Sequence, residues 1–411
     1  AGDIKSYVQK MQRVVQAIDY SKPEGCVSLP FDESMNRTIK KIANQKKKLV
    51  YSAIVVVGIG GSNLGTQAVY YALSSQLPKE SPEIFFAESA DSQQIQTIMN
   101  TLNEKPFTKK KVLLVVVSKS GKTTETLANA QVLYNFLEKR QKMKEYVVTI
   151  SDADSALAEL AHAQGFTQLD VPKYVGGRFS VFSAVGMFVL SLLGFQTNQL
   201  RKGAKDMTEL CLSASAKNPA MLLAVTQYLH YLDGKNIHDL NVFSSSLEYF
   251  GKWYRQLMAE SLGKEYNLQD ERILAGFTPT VSIGSTDLHS VGQLVFGGPR
   301  DKYITSIMPE FVQSDPVVQK GVFSELVPMI EKKSLHSILT AIHSGVEHSY
   351  EKEHIPYITL KIPKINEYYL GQLLQLYLFE VCYLGQLLNV DAFDQPNVES
   401  YKSATRDILE Q

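Results

Sequence analysis

The sequence predicts an α/β protein made of two doubly wound parallel sheets, with flanking helices at the N- and C-termini. Three observations carry this reading. Residues 112–117, VLLVVV, are an unbroken apolar, mostly β-branched run between polar flanks, the pattern of a strand buried on both faces. Residues 51–73 read as strand, glycine turn and helix, and the same alternation recurs along the chain, as parallel sheets require. In the second half, TVSIGSTDLHS (280–290) can be laid on VVGIGGSNLGT (56–66), which suggests a second copy of the unit.

In chain order, residues 1–20 form an amphipathic helix without the apolar core of a signal peptide. Short strands follow at 84–87, 112–117 and 146–150, with helices between them. The uncharged stretch 179–195 is too short and too rich in serine and glycine for a convincing membrane span, so it reads as a helix buried in the protein. A helical stretch at 198–232 leads to a strand at 240–243 and then to the helix EYFGKWYRQLMAESLGK. Later strands fall at 303–308 and 357–362, and a long apolar helix at 368–388. These elements divide the chain into 1–195 (N-terminal helix and first sheet domain), 196–390 (second sheet domain) and 391–411 (a C-terminal helix contributing to the site).

Lysine plus arginine equals aspartate plus glutamate at 42 each, which leaves no broad basic face for nucleic acid or an anionic membrane. The three cysteines, Cys26, Cys211 and Cys382, are far apart and in apolar settings, so they read as reduced core residues of a cytoplasmic protein. His336, His343 and His348 lie on amphipathic helical patterns and match no metal-ligand spacing.

The chemistry concentrates after the 112–117 strand. Ser118, Lys119, Ser120, Gly121, Lys122, Thr123 and Thr124 run into a helix start, where free backbone N–H groups, hydroxyls and the helix dipole favour a phosphate. Gly121-Lys122-Thr123 copies the end of a nucleotide-binding P-loop, but that loop's first glycine would fall at Val116, so a phosphomonoester fits better than a nucleotide. The turn 58–65 lacks the third glycine of a dinucleotide fingerprint, since Asn63 stands there; Ser62 is expected to cap the helix. Both turns should line one crevice beyond the carboxyl ends of the strands.

Arg178, after two glycines in YVGGRFS, is either a structural ion-pair partner or a cation aimed at an anion in that crevice. Gln256 and Glu260 are four apart on one helix face, with apolar Trp253 and Met258 nearby, which makes Glu260 either a solvated surface carboxylate or a general base. Gln395 and Lys402, seven apart, could face the same way on a C-terminal helix. In the repeat, His289 occupies the place of Gly65.

Together these segments resemble the phosphoglucose isomerase family, through GGRFS (176–180), ES-x-GK (260–264), a serine–lysine–threonine phosphate loop from Ser118, and FDQ-x-x-VE-x-x-K (393–402). The resemblance spans roughly 50–410 and implies two sugar-isomerase (SIS) domains that interconvert glucose 6-phosphate and fructose 6-phosphate in glycolysis and gluconeogenesis, through an enediolate and without metal or cofactor. It implies that Glu260 moves the proton between C2 and C1, Arg178 stabilises the enediolate, and His289 and Lys402 open the sugar ring. Gln256 and Gln395 would orient hydroxyls. Ser118, Lys119, Ser120 and Thr123 would hold the phosphate, with Gly61, Ser62 and Gly177 adjoining. The partner implied is a second copy of the chain, a homodimer in which His289 crosses the interface. Two departures stand out: Asn397 replaces a small residue, and Gly121-Lys122 replaces a bulkier, hydroxyl-bearing pair. A bifunctional isomerase that also accepts mannose 6-phosphate would share the base; a non-catalytic sugar-phosphate sensor would lack Glu260, His289 and Lys402.

Overall fold

Strand and helix alternate along nearly the whole chain in the computed structural model, which describes residues 4–104, 111–215 and 217–411. Helices α1 (Ile4–Ala17) and α2 (Glu33–Lys47) precede the first sheet unit. That unit runs β1 (Ala53–Val57), α3 (Leu64–Leu73), β2 (Glu83–Ala87), α4 (Ser92–Asn103), β3 (Val112–Val117), α5 (Thr124–Glu138), β4 (Val147–Ser151), α6 (Ala156–Gln164), β5 (Thr167–Asp170) and α7 (Ala184–Leu193). Then come α8 (Thr197–Cys211), α9 (Pro219–Leu232), β6 (Ile237–Val242), α10 (Glu248–Leu262), β7 (Lys264–Tyr266), β8 (Arg272–Ala275), β9 (Thr278–Ile283) and α11 (Gly292–Gly297). The chain closes with β10 (Lys302–Phe311), α12 (Leu335–Lys352), β11 (Tyr357–Lys364), α13 (Glu367–Leu388) and α14 (Glu399–Leu409).

The first sheet has the order β2-β1-β3-β4-β5 and the second β11-β10-β6-β9, with every pairing parallel. Read from the other edge, the second order is β9-β6-β10-β11, the same path as β2-β1-β3-β4. The internal repeat is therefore real, but its register differs from the sequence reading. The topological counterpart of β1 is β6, so the strand ahead of His289 corresponds to β2, and His289 does not stand in the place of Gly65. An apolar run ending in glycine is common to parallel strands, and this generic pattern is what aligns 280–290 with 56–66.

Alternation within the strands separates the layers. Ile54, Val56, Val115, Val117 and Ile150 point into a central core shared with α1, α7, α8, α10 and α13, and Leu240, Val242 and Ile307 of the second sheet meet the same core. Ala53, Val55, Val57, Leu114 and Val116 face outward onto Ile95 and Ile98 of α4 and Leu133 and Leu137 of α5. The stretch 179–195 does yield a buried helix, α7, and no helix among the described residues is long and apolar enough to cross a membrane. The stretch 198–232 is two helices rather than one, because Asn218 caps α9 by accepting from the Met221 N–H at 3.0 Å and Pro219 follows it.

Within the central core Glu380 of α13 is 1 % exposed, and its Oε2 has no partner among the described residues. Burial pushes its carboxyl well above the usual range, with a hydrogen bond to Tyr254 pulling the other way. The folded state therefore holds a proton that the unfolded state releases. This contribution is fully present below the ordinary carboxyl pKa and is lost as pH rises toward the folded value, at up to about 1.4 kcal/mol per pH unit. Buried Asp239 acts in the same direction, so the informative quantity is the difference between two proteins. Glu380→Gln is expected to flatten the fall in unfolding free energy between pH 5 and pH 8 measured by denaturant titration. Equal slopes in variant and wild type would mean that Glu380 is ionised in the fold.

Candidate active site

In the first sheet the chain order reverses between β1 and β3, so a crevice opens beyond their carboxyl ends. The Gly60–Ser62 turn after β1 forms one wall. A Cβ on Gly61 would lie 2.2 Å from the Gly177 carbonyl carbon, so only glycine lets this turn touch the Gly177–Phe179 turn. That contact brings Gly61, Ser62, Gly177 and Arg178 together. Ser62 does not cap α3: Asn63 takes the N-cap position and instead donates its side-chain amide to the Gly58 carbonyl.

The loop after β3 forms the other wall. Ser118 Oγ and Thr123 Oγ1 are 3.0 Å apart, and the Lys122 N–H donates to Ser120 Oγ at 3.3 Å. Gly121 has φ +67° and donates to the Ser118 carbonyl at 3.0 Å, while a Cβ there would lie 2.6 Å from Leu157 N. Backbone conformation and close packing thus account for glycine at this departure from the family pattern. Burial pulls the Lys119 ammonium below its usual range, with Asp152 opposing and Arg178 adding to the shift, so the loop and Arg178 share one electrostatic environment.

Arg178 is 2 % exposed, and its guanidinium makes four hydrogen bonds and one ion pair. Nε donates to Ser261 Oγ at 2.7 Å; Nη2 donates to the carbonyls of Ala392 at 2.8 Å and Asp394 at 3.1 Å; Nη1 donates to Gln395 Oε1 at 2.5 Å and pairs with Glu260 Oε1 at 3.0 Å. Burial lowers its pKa, and Glu260 and Asp394 act in the opposite direction. Trp253 donates its indole N–H to the Arg178 carbonyl at 3.3 Å. The other Glu260 oxygen accepts from Gln256 Nε2 at 2.9 Å. The carboxylate is thus held by a cation and an amide rather than set against apolar surface. Gln256 Oε1, and Thr126 Oγ1 in the first turn of α5, are buried without partners among the described residues.

Of the sequence candidates, Gly61, Ser62, Gly177, Arg178, Gln256, Glu260 and Gln395 converge, and Ser118, Lys119, Ser120 and Thr123 form the adjoining loop. Gln395 and Lys402 do not share a helix face. Gln395, with φ −159° and ψ 58°, is not helical ahead of Pro396, and α14 begins only at Glu399. Lys402 pairs with Glu399 at 2.7 Å on the surface. His289 is exposed in the Thr286–His289 turn after β9, a strand of the second sheet, whereas the crevice opens on the first. Sequence reasoning misses two residues of the ES-x-GK segment that the structure brings to this network: Ser261, which holds Arg178, and Lys264, which donates to the Glu260 carbonyl at 3.1 Å and pairs with Asp394. The motif itself is the signal, but only its glutamate has chemistry obvious from residue type.

The phosphoglucose isomerase family model matches residues 42–411. The glucose-6-phosphate isomerase of Methanocaldococcus jannaschii is 33 % identical over 364 residues, 88 % of this chain and 85 % of that one. A solved structure of a hypothetical protein from Thermus thermophilus superposes with a TM-score of 0.89 at 28 % identity, covering 99 % of this chain and 95 % of that one. That of a glucose-6-phosphate isomerase from Chlamydia trachomatis gives 0.82 at 22 % identity over 94 % of this chain and 75 % of that one, a likeness of fold. With the family match covering nearly the whole chain and the crevice built from the family's own segments, this chain belongs to the phosphoglucose isomerase family.

Proposed function

We propose that the protein interconverts glucose 6-phosphate and fructose 6-phosphate by proton transfer through an enediolate. The observation that carries this is the meeting of Glu260 and Arg178 beside the Ser118–Thr123 loop. Aldose–ketose isomerisation needs a base for the C1/C2 proton, a cation for the oxyanion and an anchor for the unreactive phosphate. Glu260, Arg178 and the loop at the start of α5 supply these. Gln256 and Gln395, each bonded to one of the central pair, orient sugar hydroxyls. Because Gln395 and Glu260 already sit on Arg178 Nη1, an enediolate oxygen takes a place now held by one of them. Substrate binding therefore frees the base as it supplies the oxyanion.

Ring opening is assigned to His289 and Lys402, with His289 reaching in from the second subunit of a homodimer. Helix α10 starts at the carboxyl edge of the second sheet, the edge that carries His289, and Glu260 lies twelve residues along it, about 18 Å away. Within one chain the two therefore sit toward opposite ends of α10. From the same edge, residues 312–334 leave β10 as an arm closed by a Val317–Ser334 bridge. On it Val322, Phe323, Leu326 and Met329 are 79–84 % exposed, an apolar surface suited to a second copy.

Three outcomes are expected. In a coupled assay for fructose 6-phosphate conversion with a chelator present, Glu260→Gln should bind substrate but lose at least about 10²-fold in kcat; retention of near wild-type C2 proton exchange with solvent would remove Glu260 as the base. Phe323→Asp with Leu326→Asp should shift the particle in light scattering to monomer mass, and an unchanged mass would place the interface elsewhere. Co-refolding inactive His289→Ala and Glu260→Gln chains in equal amounts should restore about a quarter of wild-type activity, since half the dimers are mixed and half their sites intact. No recovery in a mixture shown to contain heterodimers would put His289 in its own subunit's site.

A further inference from the structure

The Arg178 network includes a second buried cation whose place in it follows from the turn after α10. Gly263 ends the helix with its N–H on the Ala259 carbonyl, and the chain doubles back so that Lys264, 6 % exposed, caps the helix's own last turn. Its ammonium donates to the Glu260 carbonyl at 3.1 Å and the Asp394 carbonyl at 2.6 Å and forms an ion pair with Asp394 Oδ1 at 2.8 Å. The Asp394 carbonyl also accepts from Arg178 Nη2 at 3.1 Å, so two buried cations converge on one oxygen. One residue further along β7, Glu265 Oε2 accepts from Asn397 Nδ2 at 3.0 Å.

The segment 391–397 is therefore a strap held chiefly from its inner side. Asp394 to Asn397 are exposed, while Phe393 packs on Phe179 with ring centroids 5.2 Å apart. It contributes to the site the Gln395 side chain and the Ala392 and Asp394 carbonyls, all on Arg178. We propose that Lys264 is a positioning residue, a latch that fixes this strap to the end of α10 so that Gln395 and Glu260 meet on Arg178 in one geometry. The inference rests on the isomerase reading above, although the latch itself is a statement about structure. The partners of the Lys264 ammonium are two backbone carbonyls and the Asp394 carboxylate, not the side chains of Glu260, Gln256 or Gln395, so it acts through the strap.

The test uses the full-length protein and the variants Lys264→Met, Lys264→Arg, Gln395→Ala and the double Lys264→Met/Gln395→Ala. Lys264→Met is expected to lose about 10- to 100-fold in kcat, the scale of a small misplacement of reacting groups, with KM changed much less because the Ser118–Thr123 loop is intact. Lys264→Arg should recover part of that loss. The double variant should be no worse than the poorer single, because both changes act on the strap's hold on Arg178, one by loosening the strap and one by truncating Gln395. Amide hydrogen exchange over 391–398 should rise in Lys264→Met while that of β1 and β3 stays as in the wild type. Losses that multiply in the double variant, or unchanged exchange in the strap, would overturn the latch. If Lys264→Met does not fold, Asp394→Asn gives the same readouts with a smaller effect, and wild-type kcat with wild-type strap exchange in that variant would overturn it too. An inactive wild-type protein would instead refute the isomerase reading, and the exchange measurement would still decide whether Lys264 holds the strap.

Discussion

The buried guanidinium of Arg178 is the constraint on which the site depends. Removing an isolated cation from water costs several kcal/mol even after local relaxation, and the cost is met only when its hydrogens find partners. Here the partners come from α10 and from the 392–395 strap, while Arg178 itself sits on a turn pressed against the Gly60–Ser62 turn. Pieces of chain more than 200 residues apart, Arg178 and Gln395 among them, are therefore fixed relative to one another by a single side chain. Breaking any one contact would leave a buried polar group unpaired, which is why the arrangement is held as a unit.

The placement also resolves an electrostatic difficulty. Glu260 lies in the last turn of α10, where the helix dipole disfavours a carboxylate. Arg178 and Lys264 offset this, one at the carboxylate and one at the backbone carbonyl of the same residue. With Lys119 nearby, the crevice gathers three cations, each with its ionisation moved downward by burial first of all. Such a site suits a dianionic phosphate ester. On the proposed reading, the resting protein keeps Glu260, the proposed base, paired to the cation that would hold the oxyanion, so substrate binding and release of the base would be one exchange of partners.

Much of this is legible in the sequence because local pattern and local chemistry coincide. The VLLVVV strand running into hydroxyls, the two glycines ahead of Arg178 and the four-residue spacing of Gln256 and Glu260 all describe short-range geometry, and all hold. What fails needs long-range information. The repeat falls on the wrong strand because apolar runs ending in glycine look alike, and only strand order separates β9 from β6. Gln395 and Lys402 look like helix neighbours until Pro396 breaks the register. Ser261 and Lys264 are easily overlooked because a hydroxyl and an ammonium have no evident task until Arg178 and Asp394 are seen beside them. The β7–β8 ribbon that aims Lys264 is not foreseen either, since three- and four-residue strands carry too little alternation to be recognised.

The central claim, that Arg178 exchanges a protein partner for a substrate oxygen, is tested most directly by a crystal structure of the protein with fructose 6-phosphate bound to the Glu260→Gln variant. The account predicts the phosphate between Ser118 and Thr123, a C1 or C2 oxygen within hydrogen-bond distance of an Arg178 nitrogen, and residue 260 or Gln395 displaced from that nitrogen. A sugar phosphate bound elsewhere, or bound with all five Arg178 contacts unchanged, would contradict it.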